Sequence, residues 1–187
     1  FNERLEAAKA FTGGELDMET LKKIVNQSLR IVEKAGKVIP TDCTEQLHGA
    51  ILAVFGSWYA DKAESYRRIE GIPDTLGTAV NVQRMVFGNL NDNSGTGVAF
   101  TRDPSAGTNE RYGDFLVNAQ GEDVVDGSTV TLPLNQMVTT FPEQYAELLD
   151  YMHDLEATFN VLCDIQFTIE DGKLFMLQSR SGQRAPT

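Results

Sequence analysis

The sequence predicts an α+β fold, a small helical segment followed by a mostly antiparallel sheet with covering helices. Three observations carry that expectation. Apolar residues recur at helical spacing up to about residue 70. From Gly77 onward, short runs rich in β-branched and apolar residues alternate with Gly, Asn and Asp. A second helical stripe and a hairpin signal then close the chain.

With 187 residues and 41% apolar content, the chain can bury a core and amounts to one domain or one and a half. Its natural division is a helical segment, residues 1–72, and a β-rich part, residues 73–187. The start at Phe1 and the stop soon after a strand suggest a piece of a longer protein. A net charge of −11 argues against general binding to nucleic acid or to an anionic membrane. It still admits an anionic nucleotide, because a few local cations or bound magnesium override the global sign. Cys43 and Cys163 make neither a metal spacing nor a disulfide framework, so a reducing cytoplasm is expected. No run suits a transmembrane helix, and the N-terminus shows no signal-peptide pattern.

In order, residues 1–14 read as a short helix ended by Thr12-Gly13-Gly14. Leu21, Ile24, Val25, Ile31 and Val32 place a helix from about Met18 to Ala35, with Gly36 as its cap. Asp42-Cys43-Thr44-Glu45 is an acidic relative of the capping box. It opens a helix whose Leu47, Ile51, Leu52, Phe55 and Trp58 form a core-facing stripe, and Asp61 caps a further turn or two ending near Arg68. Ala79–Phe87 reads as a strand, residues 88–97 as an Asn/Gly-rich turn, and Gly97–Arg102 as the returning strand. Pro104 makes residues 103–107 a loop. Tyr112–Asn118 is another strand, and residues 119–123 another loop. Pro142 starts an amphipathic helix with Tyr145, Leu148, Leu149, Met152, Leu155 and Phe159 on one stripe.

The closing hairpin, residues 164–180, organises the rest. Its turn closes over Asp171-Gly172 alone, or over Glu170-Asp171-Gly172 with the glycine in a bulge. A one-residue difference in register moves a strand's side chains to the other face. The three-residue turn pairs Ile165 with Leu177 and Phe167 with Phe175, which gives one apolar face. The other face then carries Asp164, Gln166, Gln178 and Arg180, with Met176 among them. A sheet buried on one side favours this register, so the three-residue turn is expected. On the polar wall, Asp164 offers oxygen to a hard cation and Arg180 a bidentate grip on phosphate. The plain alternative is a solvated polar face.

Other chemistry finds little support. His48 and His153 lie in helical segments with no serine or cysteine motif around them, and there is no HExxH. Ser94-Gly95-Thr96-Gly97 looks like half a phosphate loop but lacks the lysine and the following helix, so a hairpin turn is expected there. Glu122-Asp123 sits in a glycine-flanked loop, either as a solvated turn or facing the hairpin site across a cleft.

Several stretches closely resemble the pyruvate phosphate dikinase family. They are residues 80–88 (VNVQRMVFG), 94–107 (SGTGVAFTRDPSAG), 113–125 (GDFLVNAQGEDVV) and 178–184 (QSRSGQR). The looser pattern is similar to phosphoenolpyruvate synthase as well, while Asn118-Ala119-Gln120-Gly121-Glu122-Asp123 favours the former. The resemblance implies the C-terminal part of an ATP-grasp-like ATP-binding domain. Such a domain takes ATP, Mg²⁺ and phosphate, and passes the β-phosphoryl group to a histidine on a swivelling domain. AMP and pyrophosphate remain, and a barrel domain makes phosphoenolpyruvate from pyruvate. The resemblance also implies a homodimeric parent. It puts Asp164, Gln166 and Gln178 at the metal, and Gln178, Arg180 and Glu122 at the nucleotide, with Arg180 the catalytic residue. The family has glutamate where this chain has Gln166, and an uncharged amide should hold Mg²⁺ less tightly. The N-terminal half of the ATP site, the histidine domain and the barrel have no counterpart in these residues, so the piece alone is not expected to turn over.

Overall fold

The computed structural model describes residues 16–125 and 129–182, with Glu3 and Ala7 besides. The helix expected over residues 1–14 otherwise lies outside the described residues, as do Gln183 and Arg184. The chain divides into two compact units, Phe1–Val82 and Gln83–Thr187.

In the first unit, α1 (Met18–Lys34) begins where the Asp17 carboxylate accepts the Thr20 N–H at 2.7 Å, satisfying a donor that the helix leaves over. Asp42 does the same for Glu45 at 2.9 Å and opens α2 (Cys43–Ser57). Asp61 does not cap α3 (Asp61–Glu70). Ala60 holds the cap position without a side-chain bond, and Asp61 lies inside the first turn, where a negative charge suits the helix dipole. Left-handed Gly71 ends that helix. Arg67 is buried against Trp58: its guanidinium lies 4.0 Å over the indole, donates to the Trp58 carbonyl at 2.6 Å and meets Asp74 at 2.8 Å. The stripe on α2 is not core. None of the helix's residues is buried, and Leu47, Leu52 and Phe55 stay about half exposed.

The second unit is a five-stranded antiparallel sheet in the order β3-β2-β1-β4-β5. Its strands are β1 (Gly95–Phe100), β2 (Tyr112–Val117), β3 (Leu132–Pro133), β4 (Cys163–Glu170) and β5 (Lys173–Ser181). A short helix, α4 (Gly121–Val125), follows β2, where a loop was expected. After β3 come a 3-10 turn (Leu134–Gln136), α5 (Met137–Thr140) and α6 (Pro142–Phe159). Pro142 lies in the first turn of α6, where its missing N–H costs nothing, and left-handed Asn160 ends the helix. As the stripe predicts, Leu148 and Met152 are fully buried and Tyr145, Leu149 and Leu155 partly so, while Phe159 stays exposed.

The core lies between α6 and one face of the sheet. β4 turns Cys163, Ile165, Phe167 and Ile169 inward, and β2 adds Phe115. Gly95, expected in the hairpin turn, lies in the central strand with Gly97, which was expected where that turn meets the returning strand. Gly97 sits under the Phe167 ring and Gly95 against Phe141, where a Cβ would stand 2.5 and 3.2 Å from ring carbons. The glycines thus make room for aromatic side chains from other elements.

Two further expectations fail. Residues 79–87 form no strand; Val82 and Met85 are exposed, and the Phe87 N–H goes to the Glu170 carboxylate at 2.7 Å. β-branched composition marks residues that suit a pleated surface, but a strand also needs a free edge to pair with, and β1 spends both of its edges on β2 and β4. The hairpin turn is the two-residue one. Glu170 pairs with Lys173, and Asp171 and Gly172 both take positive φ, 49° and 76°. A β-bulge at Leu177 then shifts the register between Phe167–Met176 and Gln166–Gln178. Phe167 therefore faces Met176, not Phe175, and Ile165 faces Ser179, not Leu177.

Candidate functional site

The bulge has a chemical consequence. Beyond it, Gln166 lies directly opposite Gln178 and Asp164 directly opposite Arg180, so these four residues share the face turned away from α6. The polar wall forms by a different route from the one the sequence suggests. A two-residue turn sets one register, and the extra residue in β5 corrects it before the polar residues arrive.

β1 extends both rows. Phe100 pairs with Asp164 and with Tyr112, giving the row Tyr112, Phe100, Asp164, Arg180 across four strands. Next to it runs Asp114, Val98, Gln166, Gln178. Phe100 and Val98 are the members that sequence reasoning missed. The alternation Thr96, Val98, Phe100 was legible, but not the strand that β1 would lie beside.

The two ends of this face differ. At one end Thr96 and Thr168 are buried, with their hydroxyls 3.2 Å apart. The start of α4 lies over them, since a Cβ on Gly121 would come within 3.9 Å of the Thr96 hydroxyl. Glu122, one residue on, is exposed. The other end is open, and there Phe100, Asp164, Arg180 and Ser181 line a hollow of about 350 Å³. The Asp164 side chain is 12% exposed and that of Arg180 60%; Arg180 Nε donates to Asp164 Oδ2 at 2.6 Å.

Neighbouring cations are occupied. Arg102 pairs with Glu156, and Arg111 donates to the Thr101 carbonyl at 2.5 Å and lies 3.9 Å from Glu156. Of these three arginines Arg180 is the most exposed, at 60% against 41% for Arg102 and 22% for Arg111. Among the described residues no three His, Cys, Asp or Glu side chains cluster as a metal site. The oxygen donors here, one carboxylate and two amides, suit a hard cation that brings most of its ligands with it, as Mg²⁺ does on a nucleotide's phosphates.

The family described as "Pyruvate phosphate dikinase, AMP/ATP-binding domain" matches residues 18–140. The chain is 48% identical to pyruvate, phosphate dikinase 2 of Oryza sativa subsp. japonica and 47% to the chloroplastic pyruvate, phosphate dikinase of Flaveria pringlei. It is 46% identical to the chloroplastic pyruvate, phosphate dikinase 1 of Arabidopsis thaliana. Each alignment covers 98% of this chain and 20–21% of the relative, so the chain spans about a fifth of their length. The family match ends before β4, whereas the alignments with the relatives cover nearly the whole chain. No described helix is long and apolar enough to cross a membrane.

Proposed function

The chain belongs to the pyruvate phosphate dikinase family, in its AMP/ATP-binding domain, and from that premise we propose that it supplies the Mg²⁺-ATP side of a dikinase. The parent converts pyruvate, ATP and phosphate to phosphoenolpyruvate, AMP and pyrophosphate, through a histidine on a separate domain. The observation that carries this reading is the pair of adjacent cross-strand couples, Asp164–Arg180 and Gln166–Gln178, at the open end of one face.

Phosphoryl transfer needs little covalent help from a protein; it needs placement and neutralisation of the charge on the moving group. The Arg180 guanidinium binds the phosphoryl oxygens. Gln178 and Gln166 offer amide oxygens and Asp164 its free Oδ1 to Mg²⁺, which when bound offsets phosphate charge. Glu122 borders the nucleotide from the α4 side. The phosphocarrier histidine and the pyruvate-binding barrel belong to the same parent chain, as a homodimer in the cytoplasm, and this chain alone does not turn over.

The test is Arg180→Ala in the full-length parent. Labelling of the histidine from [β-³²P]ATP should fall by about a hundredfold or more, the cost of removing a preorganised charge from a transition state, with circular dichroism unchanged. Unaltered labelling would remove Arg180 from the chemistry. The amide at Gln166, where the family has a carboxylate, favours one other reading, a nucleotide-binding module with a degenerate metal site. Calorimetry with Mg²⁺-ATP on the parent, as Gln166 and as Gln166→Glu, separates the two. AMP formation by the glutamate form alone would mark the site as degenerate.

A further inference from the structure

Arg180 uses one edge of its guanidinium and leaves the other free. Nε is held by Asp164 Oδ2 at 2.6 Å, while Nη1 and Nη2 have no partner among the described residues. The carboxylate that holds it is fixed in turn. Asp164 is mostly buried and lies between Arg180 on β5 and Phe100 on β1, and the Phe100 ring lies 6.2 Å from that of Tyr112. A guanidinium is planar, so fixing the Nε–H direction sets the plane in which the two Nη groups lie. An unheld arginine that is 60% exposed would sample many rotamers and would have to be ordered at each encounter.

We propose that Asp164 is a positioning residue for Arg180: its Oδ2 holds Nε so that the Nη1/Nη2 edge faces the phosphoryl group bidentately over the Phe100–Ser181 hollow. This rests on the functional reading above and assigns to Asp164 a role distinct from that of a cation ligand. Two groups that act as one unit lose their effect together, whereas independent groups lose it multiplicatively.

The experiment is a double-mutant cycle in the full-length parent with Asp164→Ala, Arg180→Ala and the double variant. It reads single-turnover histidine labelling at saturating Mg²⁺, so that weakened metal affinity does not enter. Each single variant should lose about a hundredfold and the double no more than about threefold beyond the worse single. Asp164→Asn keeps an acceptor for Nε–H, so it should fall between the wild type and Asp164→Ala, and it takes the place of Asp164→Ala in the cycle if that variant does not fold. Losses that multiply in the double variant would overturn the proposal.

A wild-type parent that labels no histidine would instead sink the functional reading. The same cycle is then read by calorimetry as binding of inorganic pyrophosphate without metal. Equal weakening by both single variants, with no further loss in the double, upholds the positioning role. Independent losses, or no binding by the wild type, overturn it.

Discussion

Gly97→Ala probes the join between core and site, because Gly97 lies in the central strand with the Phe167 ring across it. The added Cβ would stand 2.5 Å from Phe167 Cζ and 2.8 Å from Cε1 on one side, and 2.7 Å from the Asp114 carbonyl oxygen on the other. Carbon atoms in contact prefer about 3.5–4.0 Å, so roughly an ångström of room must open on both sides at once. Neither side yields easily. Phe167 is 1% exposed, and the Asp114 oxygen belongs to the backbone of the paired strand. Overpacking typically costs about 1–3 kcal/mol, and two opposed clashes put this case near 3. For a unit of about 100 residues, that lowers Tm by about 12–24 °C. Calorimetry and near-ultraviolet circular dichroism of the chain measure it. Phe167→Leu removes the ring but not the Asp114 clash, so the double variant should lose at least about 1 kcal/mol less than the sum of the singles. A Tm shift below about 4 °C, or additive losses, would refute the packing argument.

Gly172→Ala should cost about 1–2 kcal/mol in urea unfolding. Gly172 takes a left-handed φ of 76°, and a Cβ there would meet Asn93 Nδ2 at 2.7 Å, so an unmoved midpoint would contradict the two-residue turn. Burial pushes the Cys163 thiol above its ordinary 9.0, with the Glu156 charge adding to the effect and a hydrogen bond with Ser179 opposing it. Because the folded state holds this proton more tightly, the contribution is complete below the unfolded value and is lost as pH rises through the folded one. Urea midpoints should therefore fall above pH 9.0 in the wild type and more gently in Cys163→Ala; equal slopes would dismiss the thiol. Native alkylation should label exposed Cys43 and spare Cys163, and mass spectrometry of the labelled peptides reads which one reacted.

Local chemistry made much of this protein legible in its sequence. Helix α6 could be read from Pro142 and its stripe, α2 from Asp42, and the hairpin from two β-favouring runs around Asp171-Gly172. Each signal lies within a few residues of the structure it specifies, and the polar quartet and its family likeness were legible in the same way. What the sequence did not disclose depends on partners distant along the chain. Residues 79–87 have the composition of a strand, but β1, the strand expected to return beside them, pairs with β2 and β4 instead. The glycines of β1 looked like turn residues until the rings of Phe141 and Phe167 were seen lying against them. Asp164 and Arg180 meet because a bulge at Leu177 re-registers β5 past a two-residue turn. Local propensity favours a turn type, but where the bulge falls is decided by which side chains fit between the sheet and α6, and only the folded core contains both.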